Sequence, residues 1–306
     1  MKTLYDYIRE NSVGKTNNSI NEGGHAVNGT PMTQPQAKAV YQDVEKNFLS
    51  KLGLEANEVD YCALGSFGKK NDEQTSGDID IAVSMDVIAS KNGISLEDVE
   101  QFIADKCSET GYDYVNNKGT HVISMAWPIP GTNNFGQVDI MPSDSLDFSK
   151  WMYYSPDFRK AESKYKGLYR NQLIMAIVKF IDRKVLKTTD DGQIEEYERY
   201  ALRLNSGLAR TRRSFMGKRG GLVKTEHALK EYERNISNVP DFITQLCFGE
   251  GITSGQILTF EETYDRFMGN DFPWKSERQN IIDSYIKELE KNKFPIPSEV
   301  TNDWNK

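Results

Sequence analysis

From Pro35 to Leu52 the apolar residues Ala37, Val40, Tyr41, Val44, Phe48 and Leu52 recur at intervals of three and four. That spacing predicts a helix with one buried face, and Pro35 stands near its start, where a missing N–H does no harm. Next come a predicted strand at Val59–Leu64, a turn containing Gly and Ser, and a strand at Asp78–Val83 that begins with strict acidic and apolar alternation. Leu96–Ser108 reads as a helix with Ser95 as its N-cap. Three β-like runs follow at Tyr112–Val115, His121–Trp127 and Gln137–Met141, the last two joined as an antiparallel pair by the loop Pro128–Gly136. Beyond Phe148 the β signal fades, and helical patterns are predicted at Tyr165–Val185, Ile194–Leu204, Phe242–Phe248, Gln256–Met268 and Glu277–Asn292. The fold class expected is therefore α+β. Residues 1–34 form a short amphipathic helix (Leu4, Tyr5, Ile8) and a Gly/Asn-rich arm, residues 35–148 a small mixed-sheet domain, and residues 149–306 a mostly helical domain.

Composition narrows the class. The 306 residues are 38% apolar and 27% charged, an ordinary globular balance with material for a sizeable core. No run approaches the roughly 20 apolar residues of a membrane-spanning helix, and the N-terminal residues lack the apolar centre of a signal peptide, so a cytoplasmic protein is expected. Three scattered cysteines, Cys62, Cys107 and Cys247, carry no CxxC spacing and are read as reduced, buried thiols. His25, His121 and His227 show no zinc-ligand spacing with one another. The net charge of −7 argues against a protein that coats nucleic acid non-specifically.

Chemistry concentrates in Leu64-Gly65-Ser66, followed after eleven residues by Asp78-Ile79-Asp80-Ile81. Residues two apart on a strand share a face, so Asp78 and Asp80 stand together while Ile79 and Ile81 point into the core. Two adjacent carboxylates repel unless a cation lies between them, and hard ions such as Mg²⁺ take carboxylate and phosphate oxygens. Gly65 permits close approach of backbone to a phosphate, and Ser66 offers an N–H and a hydroxyl. Asp139, in Gln137-Val138-Asp139-Ile140-Met141, is a third carboxylate flanked by apolar residues. Were its strand to neighbour Asp78–Val83, the three would converge and could hold two Mg²⁺ ions roughly 3.5–4 Å apart, as nucleotidyl transfer requires.

With its Gly65-Ser66 pair, its Asp78 and Asp80, and its later Asp139, the stretch 59–141 resembles the DNA polymerase beta-like nucleotidyltransferase superfamily. The resemblance implies a small mixed sheet bearing catalytic, metal-binding Asp78, Asp80 and Asp139, with Mn²⁺ able to replace Mg²⁺, Gly65 and Ser66 on the triphosphate, and a helical domain behind. Phe67-Gly68-Lys69-Lys70 departs from the Arg or Gly that many members place after the Gly-Ser pair, and Lys69 is the candidate substitute. Lys164, Lys166 and Lys179 lie in the region where several relatives carry a lysine that reaches the γ-phosphate; Lys179 is the candidate retained. Tyr153, Tyr154, Tyr165 and Tyr169 fall where the resemblance places the base, although their spacing is also that of core aromatics.

Between Arg203 and Lys224 there is no acidic residue, and Arg210, Arg212, Arg213, Lys218 and Arg219 read either as a phosphate-binding patch or as a solvated basic loop that pairs with acidic surface. The expected function is Mg²⁺-dependent transfer of a nucleoside monophosphate from a nucleoside triphosphate (ATP among the candidates) to an acceptor hydroxyl, with RNA 3′ ends favoured. Oligonucleotide or cyclic-dinucleotide synthesis, protein nucleotidylylation and an inactive nucleotide- or nucleic-acid-binding module are the alternatives. Ser12-Val13-Gly14-Lys15-Thr16 imitates the end of a P-loop but lacks its first glycine and follows a helical pattern. Glu22-Gly23-Gly24-His25 reads as a loop or a tight turn.

Overall fold

The computed structural model describes residues 26–182, 184–188, 194–203, 207–218, 221–231 and 239–304. The expected first helix, the P-loop-like stretch and the Glu22–His25 turn lie outside the described residues. The chain divides into two compact units, Met1–Lys164 and Tyr165–Lys306.

The first unit is built on a five-stranded mixed sheet. Its strands are β2 (Tyr61–Ala63), β4 (Asp78–Ser84), β5 (Tyr114–Asn117), β6 (Val122–Pro128) and β7 (Phe135–Ser143), in the order β2-β4-β7-β6-β5. β1 (Met32–Thr33) and β3 (Thr75–Ser76) form a separate two-stranded pair. β4 and β7 run parallel and adjacent, whereas β6–β7 is antiparallel as the connecting loop predicts.

Helix α1 (Gln34–Asn47) begins at a capping box in which Thr33 and Gln36 satisfy each other's backbone N–H groups, and its Pro35 stands in the first turn. α2 (Met85–Asn92), which no apolar period announced, is capped by Ser84 at one end and by Gly93 in the left-handed region at the other. α3 (Val99–Glu109) follows a turn of 3₁₀ helix. Alternation along the strands decides the two faces of the sheet. Ile79, Ile81, Ile123, Met125, Val138 and Ile140 are buried with Ala37, Val40 and Val44 of α1 and Val99 and Ile103 of α3. The other face carries a smaller apolar cluster that includes Cys62, Ala82 and Met141.

α4 (Leu146–Met152) and the chain after it belong to this unit rather than to a C-terminal one. Leu146 and Tyr153 join the smaller cluster, Tyr154 forms a parallel bridge to Gly65, and the Lys69 ammonium donates to the Ser155 carbonyl at 2.5 Å. The arm's last residues are likewise part of the fold, since Thr30 N–H donates to the Phe135 carbonyl at 2.8 Å.

The second unit is helical and contains α5 (Gly167–Phe180), α6 (Pro240–Phe248), α7 (Phe260–Met268), α8 (Arg278–Lys291) and α9 (Ser298–Trp304). It also contains a four-stranded antiparallel sheet, β8 (Lys184–Thr188), β9 (Ile194–Arg203), β10 (Gly207–Lys218) and β11 (Gly221–Glu231), in the order β11-β10-β9-β8. The helix predicted at Ile194–Leu204 is thus a strand, and the one predicted at Tyr165–Val185 ends at Phe180. Glu- and Arg-rich β9 has good local helix propensity, but cross-strand pairing outweighs it. Arg212 lies opposite Glu198 and Arg210 opposite Tyr200; Arg212 reaches Glu198 at 3.2 Å, and the Arg210 guanidinium lies 5.0 Å from the Tyr200 ring centre.

All three cysteines are free and buried, and burial pushes the Cys62 thiol up to about 11 and Cys107 up to about 12. No helix among the described residues is long and apolar enough to cross a membrane. Because Ile81 is fully buried on the helix-covered face, Ile81→Ala is expected to cost about 2–5 kcal/mol, measured as a lower unfolding midpoint in urea.

Candidate functional site

The parallel register of β4 and β7 sets Asp80 beside Asp139 and Asp78 beside Gln137. On β6, Ser124 lies opposite Asp139. These five side chains therefore share the sheet face opposite the main core. Asp78, Asp80 and Asp139 each bring a carboxylate oxygen within 4.8 Å of the others, a grouping able to hold a metal ion. β7 lies between β4 and β6, so Asp139 is on an interior strand and not on a surface edge.

The electrostatics follow from this crowding. Asp80 is pushed well above the ordinary carboxylate range by burial, then by the charges of Asp78 and Asp139. Asp139 is raised to about 7 by burial and by Asp78, against the lowering effect of hydrogen bonds from Ser124 and Gln137. Oxygen donors that resist ionisation until a positive charge arrives suit a metal cation.

Gly65 is fitted to this site by backbone geometry. Its φ is +62°, and a Cβ there would stand 3.0 Å from Oδ2 of Asp80, so a side chain would strain the left-handed backbone and press on the carboxylate. Leu64 N–H donates to the Asp80 carbonyl at 2.9 Å, and Gly65 N–H donates to the Tyr153 carbonyl at 3.2 Å. Ser66 lies in the turn that follows, where its carbonyl accepts from Lys69 N–H at 3.1 Å. Lys69 is anchored: besides Ser155, its ammonium lies 4.3 Å from the Tyr154 ring centre, and burial lowers its pKa against the pull of Glu162 and Asp157.

The other predicted residues are placed as follows. The Lys179 ammonium donates to the Ser284 hydroxyl of α8 at 2.8 Å. Tyr165 packs on Phe260 with ring centres 4.8 Å apart, and Tyr169 packs on Tyr165 at 5.3 Å, so both join an aromatic cluster of the second unit, Tyr169 buried and Tyr165 partly so. Arg210 pairs with Asp182 and Glu198, and Arg212 with Glu196 and Glu198. Both stand on a strand of a sheet, and these partners match the acidic-surface pairing weighed as the alternative for this stretch. The backbones of Arg213 and Lys218 lie on β10, while their side chains, and Arg219 altogether, lie outside the described residues.

Gln137 and Ser124 escaped the sequence reading. The signal for Gln137 was present, because it stands two residues before Asp139 on a strand and so shares its face.

Raised carboxyl pKa values fix the sign of a pH effect. The folded metal-free protein holds these protons more tightly than the unfolded chain, so the contribution of Asp139 to stability falls as pH rises from about 4 to about 7, and that of Asp80 falls in the same direction. Asp139→Asn is therefore expected to raise the thermal midpoint of the metal-free protein by a few degrees near pH 8, and to change it little near pH 4, as measured by calorimetry. Gly65→Ala is expected to cost about 1–2 kcal/mol from its left-handed backbone alone, read as a lower unfolding midpoint in urea. Comparison with protein-family models and with curated protein sequences finds no match, so the functional reading rests on the geometry of the three carboxylates.

Proposed function

We propose that this chain is a divalent-metal-dependent nucleotidyltransferase, moving a nucleoside monophosphate from a nucleoside triphosphate to an acceptor hydroxyl with release of pyrophosphate. The observation that carries the reading is the meeting of Asp78, Asp80 and Asp139 on adjacent parallel strands, with a left-handed Gly65 turn at Asp80. Asp78 and Asp80 would hold both of two Mg²⁺ ions, and Asp139 would complete the set on one of them. When bound, such ions lower the pKa of the attacking hydroxyl and stabilise the leaving pyrophosphate. The chain's own part is positional. Gly65 keeps the backbone free of a side chain beside the carboxylates, and the Ser66 turn offers N–H and hydroxyl donors to the β- and γ-phosphates. Lys69 lies three residues further on and is positioned by Ser155 and Tyr154.

The acceptor is a separate matter. An RNA 3′ end draws its support from the basic stretch on β10 and β11, of which Arg210 and Arg212 already bind carboxylates of the same unit. That pairing favours a second reading, in which the acceptor is a nucleotide, a short oligonucleotide or a protein hydroxyl and no long basic groove is needed.

Incubating the full chain with each α-labelled nucleoside triphosphate and Mg²⁺, with and without total RNA, tests both. Label is expected in a product with the wild type, and is expected to fall at least about 1,000-fold in Asp78→Ala/Asp80→Ala. Label in RNA identifies a terminal transferase, and label in a small product or on protein identifies the second reading. No variant-sensitive product from any triphosphate would reject transfer and leave a binding module.

A further inference from the structure

Asp139 is held from two sides by buried donors. Gln137 is 2% exposed and Ser124 5% exposed. The Gln137 amide Nε2 donates to both oxygens of Asp139, at 3.0 and 3.2 Å, and the Ser124 hydroxyl hydrogen-bonds the same carboxylate. A carboxylate has about four lone-pair positions. These donors take no more than three of them, which leaves lone-pair capacity on the carboxylate for a metal ion.

The amide of Gln137 is itself fixed. Its Oε1 accepts from Ala26 N–H at 3.0 Å, and a backbone N–H can only donate, so the amide must present its NH₂ to Asp139. Ala26 reaches that oxygen because residues 26–33 cross the start of β7 in close contact. Thr30 binds the Phe135 carbonyl through its N–H at 2.8 Å and its hydroxyl at 3.1 Å. A Cβ on Gly29 would stand 2.9 Å from the Gln137 backbone nitrogen, and one on Gly136 would stand 2.3 Å from Sδ of Met32. The segment can pass at this depth only because both positions are glycine.

We infer that Gln137 is a positioning residue for the metal site, through which the segment at Ala26 sets the orientation of Asp139 toward Asp78 and Asp80. The inference rests on the metal-binding reading above and assigns to this segment a part in the site although none of its residues lies on the sheet. Burying an amide costs free energy unless it is hydrogen-bonded, and here both ends of the amide are engaged, one by a strap and one by a metal-ligand candidate. Donors behind a ligating carboxylate typically change metal affinity by about 10–100-fold when removed.

The test is Mn²⁺ titration of the full chain followed by electron paramagnetic resonance, with thermal unfolding of each variant measured without metal. Gln137→Met keeps the volume and removes the donor, and it is expected to weaken Mn²⁺ binding about tenfold or more. Ala26→Pro removes the N–H that fixes the amide without touching the sheet, and it is expected to weaken binding in the same direction by a smaller factor. Wild-type Mn²⁺ affinity in folded Gln137→Met overturns the inference and leaves the metal site standing. If that variant does not fold, wild-type affinity in Ala26→Pro overturns it equally. A wild-type chain that binds no Mn²⁺ overturns the metal reading itself, and this inference with it.

Discussion

Everything proposed for this protein depends on one electrostatic constraint, the placing of three half-buried carboxyl groups at the junction of two parallel strands. The register that sets Asp80 beside Asp139 opposes the folded state at neutral pH, since burial and mutual repulsion push both groups toward their protonated forms. The fold tolerates this because the opposite face of the same strands is fully apolar. Ile79, Ile81, Val138 and Ile140 are essentially inaccessible, and their burial fixes β4 and β7 whatever the charge state above them. A one-residue slip in either strand would exchange the two faces, so the core that stabilises the sheet also enforces the meeting of the carboxylates.

Around that constraint the unit places small residues and donors. Gly65 comes to Asp80 without a side chain, Gln137 and Ser124 hydrogen-bond Asp139, and Lys69 is drawn to the segment after α4. The segments from Thr30 to Ser155 are thereby tied into one unit, which explains why its boundary falls after Lys164 rather than where the β signal ends. The arm's last residues, 26–33, and residues 153–155, which the sequence assigns to the helical domain, are attached to the site unit by hydrogen bonds that composition does not reveal.

The site was legible where period-2 alternation carries it. Asp80 and Asp139 stand between branched apolar residues and Asp78 precedes one, and that pattern places them on strands with one buried face. Their convergence was conditional on strand order, which depends on a non-local pairing between residues about sixty apart and so leaves no local trace. α2 was missed because its eight residues are too few to show a helical period, although Ser84 and Gly93 marked both ends. β9 was misread because Ile194, Tyr197 and Tyr200 to Leu202 fit a helical spacing, while the pairing of its glutamates with Arg210 and Arg212 was hidden in another part of the chain.

The central claim, that these carboxyl groups exist to hold a divalent cation, is tested most directly by the protons that binding displaces. Calorimetric titration of Mg²⁺ or Mn²⁺ into the full chain, in buffers of different ionisation enthalpy, reads that number. The account predicts saturable binding that releases protons near pH 6, releases fewer near pH 8, and is lost in Asp78→Asn/Asp80→Asn/Asp139→Asn. Absence of binding, or binding of equal strength in the triple variant, would contradict it.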